Sequence, residues 1–79
     1  MMLNELKKFI EKKLEEARKY AVNAATVSNY RAIAYGALMF AEENGLILWD
    51  DIQKWWEDYA WFEFQRLIEE KEVEWGWNK

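Results

Sequence analysis

All six tryptophans of this 79-residue chain fall between Trp49 and Trp77, and no proline, cysteine or histidine occurs anywhere. An indole side chain is mostly apolar surface, so the final third must be covered by the rest of the fold or by a partner. At this length the chain forms one domain whose single core supplies only a few kcal/mol of net stability, a size at which oligomerisation often helps.

The composition is 52% hydrophobic and 33% charged, too apolar for intrinsic disorder and too charged for a membrane bundle. Without cysteine there is no disulfide framework, thiolate nucleophile or cysteine-based zinc site, and the cytoplasm is the expected compartment. No secretory signal is expected, because Glu5, Lys7 and Lys8 occupy the place of its apolar core. From Tyr20 to Ala41 the only formal charge is Arg31, but Asn23, Thr26, Ser28 and Asn29 interrupt a stretch that would need ~20 mostly apolar residues to span a bilayer. No membrane association is expected.

Hydrophobic periodicity predicts an all-α protein. Leu3, Leu6, Ile10, Leu14, Ala17, Ala21 and Ala24 recur at three- and four-residue steps with Lys and Glu on the other faces, which predicts an amphipathic helix over about 3–25. Thr26 to Asn29 form the expected break, with Ser28 as a cap for the second helix. If the chain does not turn there, residues 3–44 form one helix of ~63 Å that buries its sides only in an oligomer. The second helix, about 29–44, is uncharged on every face between Ala32 and Ala41, as expected of the innermost element of a bundle. Ala32 and Gly36 form a small patch on it that permits close helix crossing. Asn44-Gly45 is the expected stop, with Gly45 in the left-handed conformation.

The third helix is predicted over about 49–72, with Asp50 and Gln53 at capping-box spacing and a tail, 73–79, that carries Trp75 and Trp77. At 100° per residue from Ile52, an arc of about 200° holds Trp55, Trp56, Tyr59, Ala60, Phe62, Phe64 and Leu67, whereas Trp61 and Ile68 fall outside it. The apolar face changes direction toward Phe64, Leu67, Ile68 and Trp75. A bend would explain this, but packing of the C-terminal half on a second chain is the preferred expectation. The fold expected is therefore a three-helix antiparallel bundle, or a helical hairpin that dimerises.

Charge is segregated. Residues 1–20 carry six Lys/Arg and four Glu (net +2), residues 21–48 one Arg and two Glu (net -1), and residues 49–79 four Lys/Arg and nine acids (net -5). A net of +2 on one helix is too little for direct nucleic-acid binding.

The residues offer little catalytic chemistry. Neutral-pH catalysis usually recruits His or Cys; the single Ser28 and single Thr26 have no neighbouring base, and a paired-carboxylate cleft is hard to build in so short a chain. The acidic doublets lack the His of helical dinuclear sites and the glycine of a calcium loop, and Gly36, Gly45 and Gly76 are isolated, so no metal, nucleotide or other cofactor is expected. Trp61, Trp75 and Trp77 with Glu57 or Asp58 can be drawn as a quaternary-ammonium cage, yet aromatics at helical spacing are far more often core or interface.

The expected function is non-enzymatic protein binding, to itself as a homodimer or to another protein, through Trp61, Phe64, Ile68, Trp75 and Trp77, with Asp50, Glu57 and Asp58 as an acidic rim that sets partner choice. The alternative is an acidic inhibitor of the phage or mobile-element kind that blocks a nucleic-acid-processing enzyme by mimicking DNA, anti-CRISPR-like or anti-restriction-like. Its support is the nine acids of residues 49–79.

Overall fold

Asn23 sets the first turn. In the computed structural model, which describes residues 2–74, α1 spans Met2–Tyr20 and α2 spans Ala24–Glu43. Asn23 is extended (φ -148°, ψ 174°), and its side-chain oxygen accepts hydrogen bonds from the Thr26 backbone N–H and the Thr26 hydroxyl, both at 2.9 Å. The turn therefore comes one helical turn earlier than the expected break at Thr26 to Asn29. Ser28 lies inside α2, and Ala24 and Ala25 open α2 rather than close α1. The earlier turn lets Val27 enter the core, fully buried, in the first turn of α2.

α1 buries Leu6, Ile10, Leu14 and Ala17, the stripe its sequence predicts. α2 ends where Asn44-Gly45 predicts: Gly45 has φ +70°, its N–H donates to the Glu42 carbonyl at 3.1 Å, and the Leu46 N–H donates to the Ala41 carbonyl at 2.9 Å. That pair of bonds satisfies two carbonyls the helix end would otherwise leave open.

The expectation that α2 is innermost is corrected. Only its Val27, Ala34, Leu38, Ala41 line is buried, while Ile33 is 51% and Phe40 65% exposed. A helix with neighbours on two sides keeps an outer face, and charge-free residues do not by themselves close it.

The third helix comprises α3 (Trp49–Trp55), a π-helical turn (Trp56–Ala60) and α4 (Trp61–Glu74). Leu48 stands at its N-cap with no side-chain hydrogen bond, so the expected capping box of Asp50 and Gln53 does not form. Asp50 and Asp51 lie instead in the first turn, where acids complement the helix dipole.

The π turn accounts for the change of face. Ile52, Trp56, Ala60, Phe64 and Ile68 recur every four residues, a spacing that drifts ~40° per step around an α-helix. The Trp61 N–H donates to the Trp56 carbonyl, five residues back, so the turn holds one extra residue. The helix beyond it is set back by ~100° relative to an even count. Phe64 and Ile68 thereby reach the core, and Phe62, expected inside, is 53% exposed. The bundle's own third helix absorbs the change of face, in place of the second chain expected to cover it.

Lys7 lies over Trp55 and Arg18 bonds Glu63, so α1 and the third helix run parallel; Tyr35 meets Trp56 and Arg31 meets Gln65, so α2 runs antiparallel to the third helix. The arrangement is an up-down-up three-helix bundle. Among the described residues there is no strand, and no helix is long and apolar enough to cross a membrane.

Candidate functional site

Residues five apart diverge by ~140° on an α-helix. In the π turn the backbone bond between Trp61 and Trp56 brings their side chains to the same side, and both line one groove with Trp49 and Glu57. The opposite wall is α2, through Ser28, Arg31, Ala32 and Tyr35. The groove is open to solvent and holds about 570 Å³, within the size range of sites that take small molecules or peptide side chains.

Trp56 is the floor, 3% exposed, and its ring lies 5.7 Å from that of Tyr35 at an interplanar angle of 38°. The Arg31 guanidinium stands 5.1 Å from the Trp61 ring centroid, and Nη1 donates to the Gln65 side-chain oxygen Oε1 at 3.0 Å. Arg31 thus holds Trp61 as one wall. Cation and indole are mutually attractive through the ring quadrupole, and the Gln65 bond fixes the plane of the guanidinium. Besides the Tyr35 hydroxyl and the indole N–H groups, the polar side chains of the groove are Ser28 and Arg31 on one wall and Glu57 on the other.

Asp50, Glu57 and Asp58 are all exposed. Asp58 pairs with Lys54 at 3.1 Å, and Glu63 is held by Arg18 at 3.1 Å and Arg66 at 3.6 Å, so cations interrupt the negative pattern along the helix. Among the described residues no group of three or more carboxylates could hold a metal ion, and no charged or polar residue is buried.

No family model matches this chain, and neither does any curated protein or solved structure.

Of the expected interface residues, Trp61 is 42% exposed and lines the groove. Phe64 and Ile68 are corrected: they lie in the chain's own core at 0% and 8% exposure, because the π turn rotates them inward. Trp75 and Trp77 lie outside the described residues. The structure does not bring Trp61 and Ile68 into one stripe. It brings Trp61 together with Tyr35, Trp49 and Trp56, of which the sequence pattern assigns Trp56 to the core and gives the other two no role. The four-residue recurrence from Ile52 to Ile68 is the signal that points to the groove, since sixteen residues of it fit four helical turns only with an extra residue inserted.

Proposed function

We propose that this chain is a non-enzymatic protein-binding module whose groove between α2 and the third helix receives a segment of another protein. The partner segment carries an aromatic or aliphatic anchor that lies on Trp56 and Tyr35, and a flanking Lys or Arg that meets Glu57. The observation behind this reading is the half-exposure of Trp61 and Tyr35 around a buried indole, 42% and 44% against 3% for Trp56. Tryptophan, tyrosine and arginine are the residue types enriched at binding hot spots, and here all three line one concavity. The groove's polar side chains are few, and no charged or polar residue is buried among the described residues, which favours binding over acid-base work. The acids Asp50 and Asp58 beside Glu57 supply charge complementarity for a basic flank, at a strength that falls with salt.

Selection from a random peptide library tests it. Peptides that pair an apolar anchor with a neighbouring Lys or Arg should be enriched, should lose at least ~10-fold in affinity on Trp61→Ala or Tyr35→Ala, and should lose part of their salt dependence on Glu57→Gln. Enrichment of peptides indifferent to both aromatic substitutions, or no enrichment at all, counts against the groove.

A further inference from the structure

Arg31 is the arginine that no carboxylate neutralises. Arg18 pairs with Glu15 and Glu63, and Arg66 pairs with Glu63, whereas Arg31 has no ion pair among the described residues. Acids are not scarce, at fifteen against eleven Lys and Arg. Glu57 lines the same groove, but from the opposite wall and without pairing to Arg31.

The guanidinium is nevertheless held in place. It stacks on Trp61 at 5.1 Å, and Nη1 donates to Gln65 at 3.0 Å. These two contacts set its plane. A guanidinium carries five N–H donors in a rigid fork, and the bond to Gln65 occupies one side of it. The remaining donors have no acceptor among the described residues.

Ser28 stands three residues before Arg31, so their Cβ atoms are ~5–6 Å apart on one side of α2. Both line the groove and both are half-buried. The hydroxyl of a serine inside a helix can bond back to the carbonyl four residues earlier, yet that of Ser28 bonds to nothing among the described residues. A preset fork and a hydroxyl donor thus stand side by side on a partly covered wall, where a charge pair is screened less than on open surface.

We propose that Arg31 and Ser28 bind a carboxylate side chain of the segment that the groove receives. The assignment depends on the groove's taking a peptide, and it adds an Asp or Glu on the far side of the apolar anchor from the Lys or Arg that meets Glu57. The anchor lies on Trp56 and Tyr35 between two walls of opposite charge. The two oxygens of a carboxylate match the guanidinium fork. A single cation facing Glu57 across the groove suits one negative charge better than the near-dianion of a phosphate group, which recruits clusters of arginines.

A peptide library with randomised residues on either side of a fixed tryptophan, and with both termini blocked, tests it. Enriched peptides should carry Asp or Glu on one side of the tryptophan and Lys or Arg on the other. Replacing that acid by its amide should weaken binding to the native chain at least ~10-fold, as a charge-assisted pair requires. The acid-to-amide ratio should fall below ~2-fold in Arg31→Met and to an intermediate value in Ser28→Ala. Arg31→Glu should make lysine the preferred residue at that peptide position, and Glu57→Gln should leave the ratio as it is.

Each ratio compares two peptides on one variant, so any slackening of Trp61 in Arg31→Met weakens both alike and cancels. Peptides that need Trp61 and Tyr35 but accept the amide without loss overturn this assignment and leave the groove standing. An acid preference that survives Arg31→Met does the same. No enrichment, or enrichment indifferent to Trp61→Ala and Tyr35→Ala, removes the groove and the carboxylate site together.

Discussion

The Arg31 guanidinium lies over the Trp61 ring at 5.1 Å and donates to Gln65 one helical turn further on. One side chain of α2 thereby ties down the segment beyond the π turn. Removing it should cost about 0.5–1 kcal/mol for the cation–π contact and about 1 kcal/mol for the hydrogen bond. Arg31→Met is expected to lower the urea midpoint accordingly and to shift the tryptophan emission, while Gln65→Ala, which spares the stacking, costs less. An unchanged midpoint in Arg31→Met would mean that the guanidinium is not bound to the indole in solution.

The turn between α1 and α2 gives a sharper contrast. Asn23 accepts two bonds from Thr26, and Ser28 sits within the helix with no cap to make. Asn23→Ala should cost ~1 kcal/mol, which lowers the melting temperature by about 4–8 °C in a domain of this size. Asn23→Asp should retain most of the cap. Ser28→Ala is expected within ~0.5 kcal/mol of the native chain. Equal losses at Asn23 and Ser28 would move the helix boundary back to the position that the sequence pattern suggests.

These two sites show where the sequence is legible. The α1 stripe and the Asn44-Gly45 stop follow from local rules, apolar period and left-handed glycine, that no tertiary contact overrides. The sequence pattern puts the α1–α2 break one helical turn late because Thr26, Ser28 and Asn29 are all capable caps, and the choice of Asn23 depends on bringing Val27 into the core. The charge-free face of α2 misleads because lack of charge does not by itself bring a face inside, and Ile33 and Phe40 stay exposed. An even 100° count leaves Trp61 outside and Phe64 inside, as they are, but it places Phe62 and Ile68 correctly only if every turn is an α-turn. The π turn breaks that count between Trp56 and Ala60 and exchanges the places of Phe62 and Ile68.

That exchange makes truncations at neighbouring aromatics unequal. Phe64→Ala empties a fully buried site and should cost ~3–5 kcal/mol, much of the ~4–12 kcal/mol expected of a chain this long. Phe62→Ala, at a site 53% exposed, should cost under ~1 kcal/mol. Chemical denaturation of both variants checks the order. The reverse order would restore an unbroken α-helix through residues 56–60.

Deletion probes the π turn directly. Removing exposed Asp58 takes out the surplus residue, lets α-type bonding run through, and leaves Phe64 and Ile68 in phase with Ile52. Its exposed ion pair with Lys54 goes with it, at little cost. This variant is expected to fold with a loss below ~2 kcal/mol, but with Trp56 and Trp61 re-spaced and the groove's peptide binding reduced. Deleting exposed Glu11 from α1 should be far worse, because no surplus exists there and Leu6 and Ile10 would rotate ~100° out of register with Leu14 and Ala17. Amide hydrogen exchange across residues 56–61 should rise in protection in the Asp58 deletion.

Gly36 isolates helix propensity from packing. Within the chain its Cβ position is open space, so Gly36→Ala should stabilise the fold by ~1 kcal/mol through helix propensity alone. Urea unfolding measures that gain. Gly36→Leu also introduces a good helix former and should leave the fold at or slightly above native stability. A loss in either variant would mean that the new side chain meets a neighbour on this side of α2, and that the open space around Gly36 does not hold in solution.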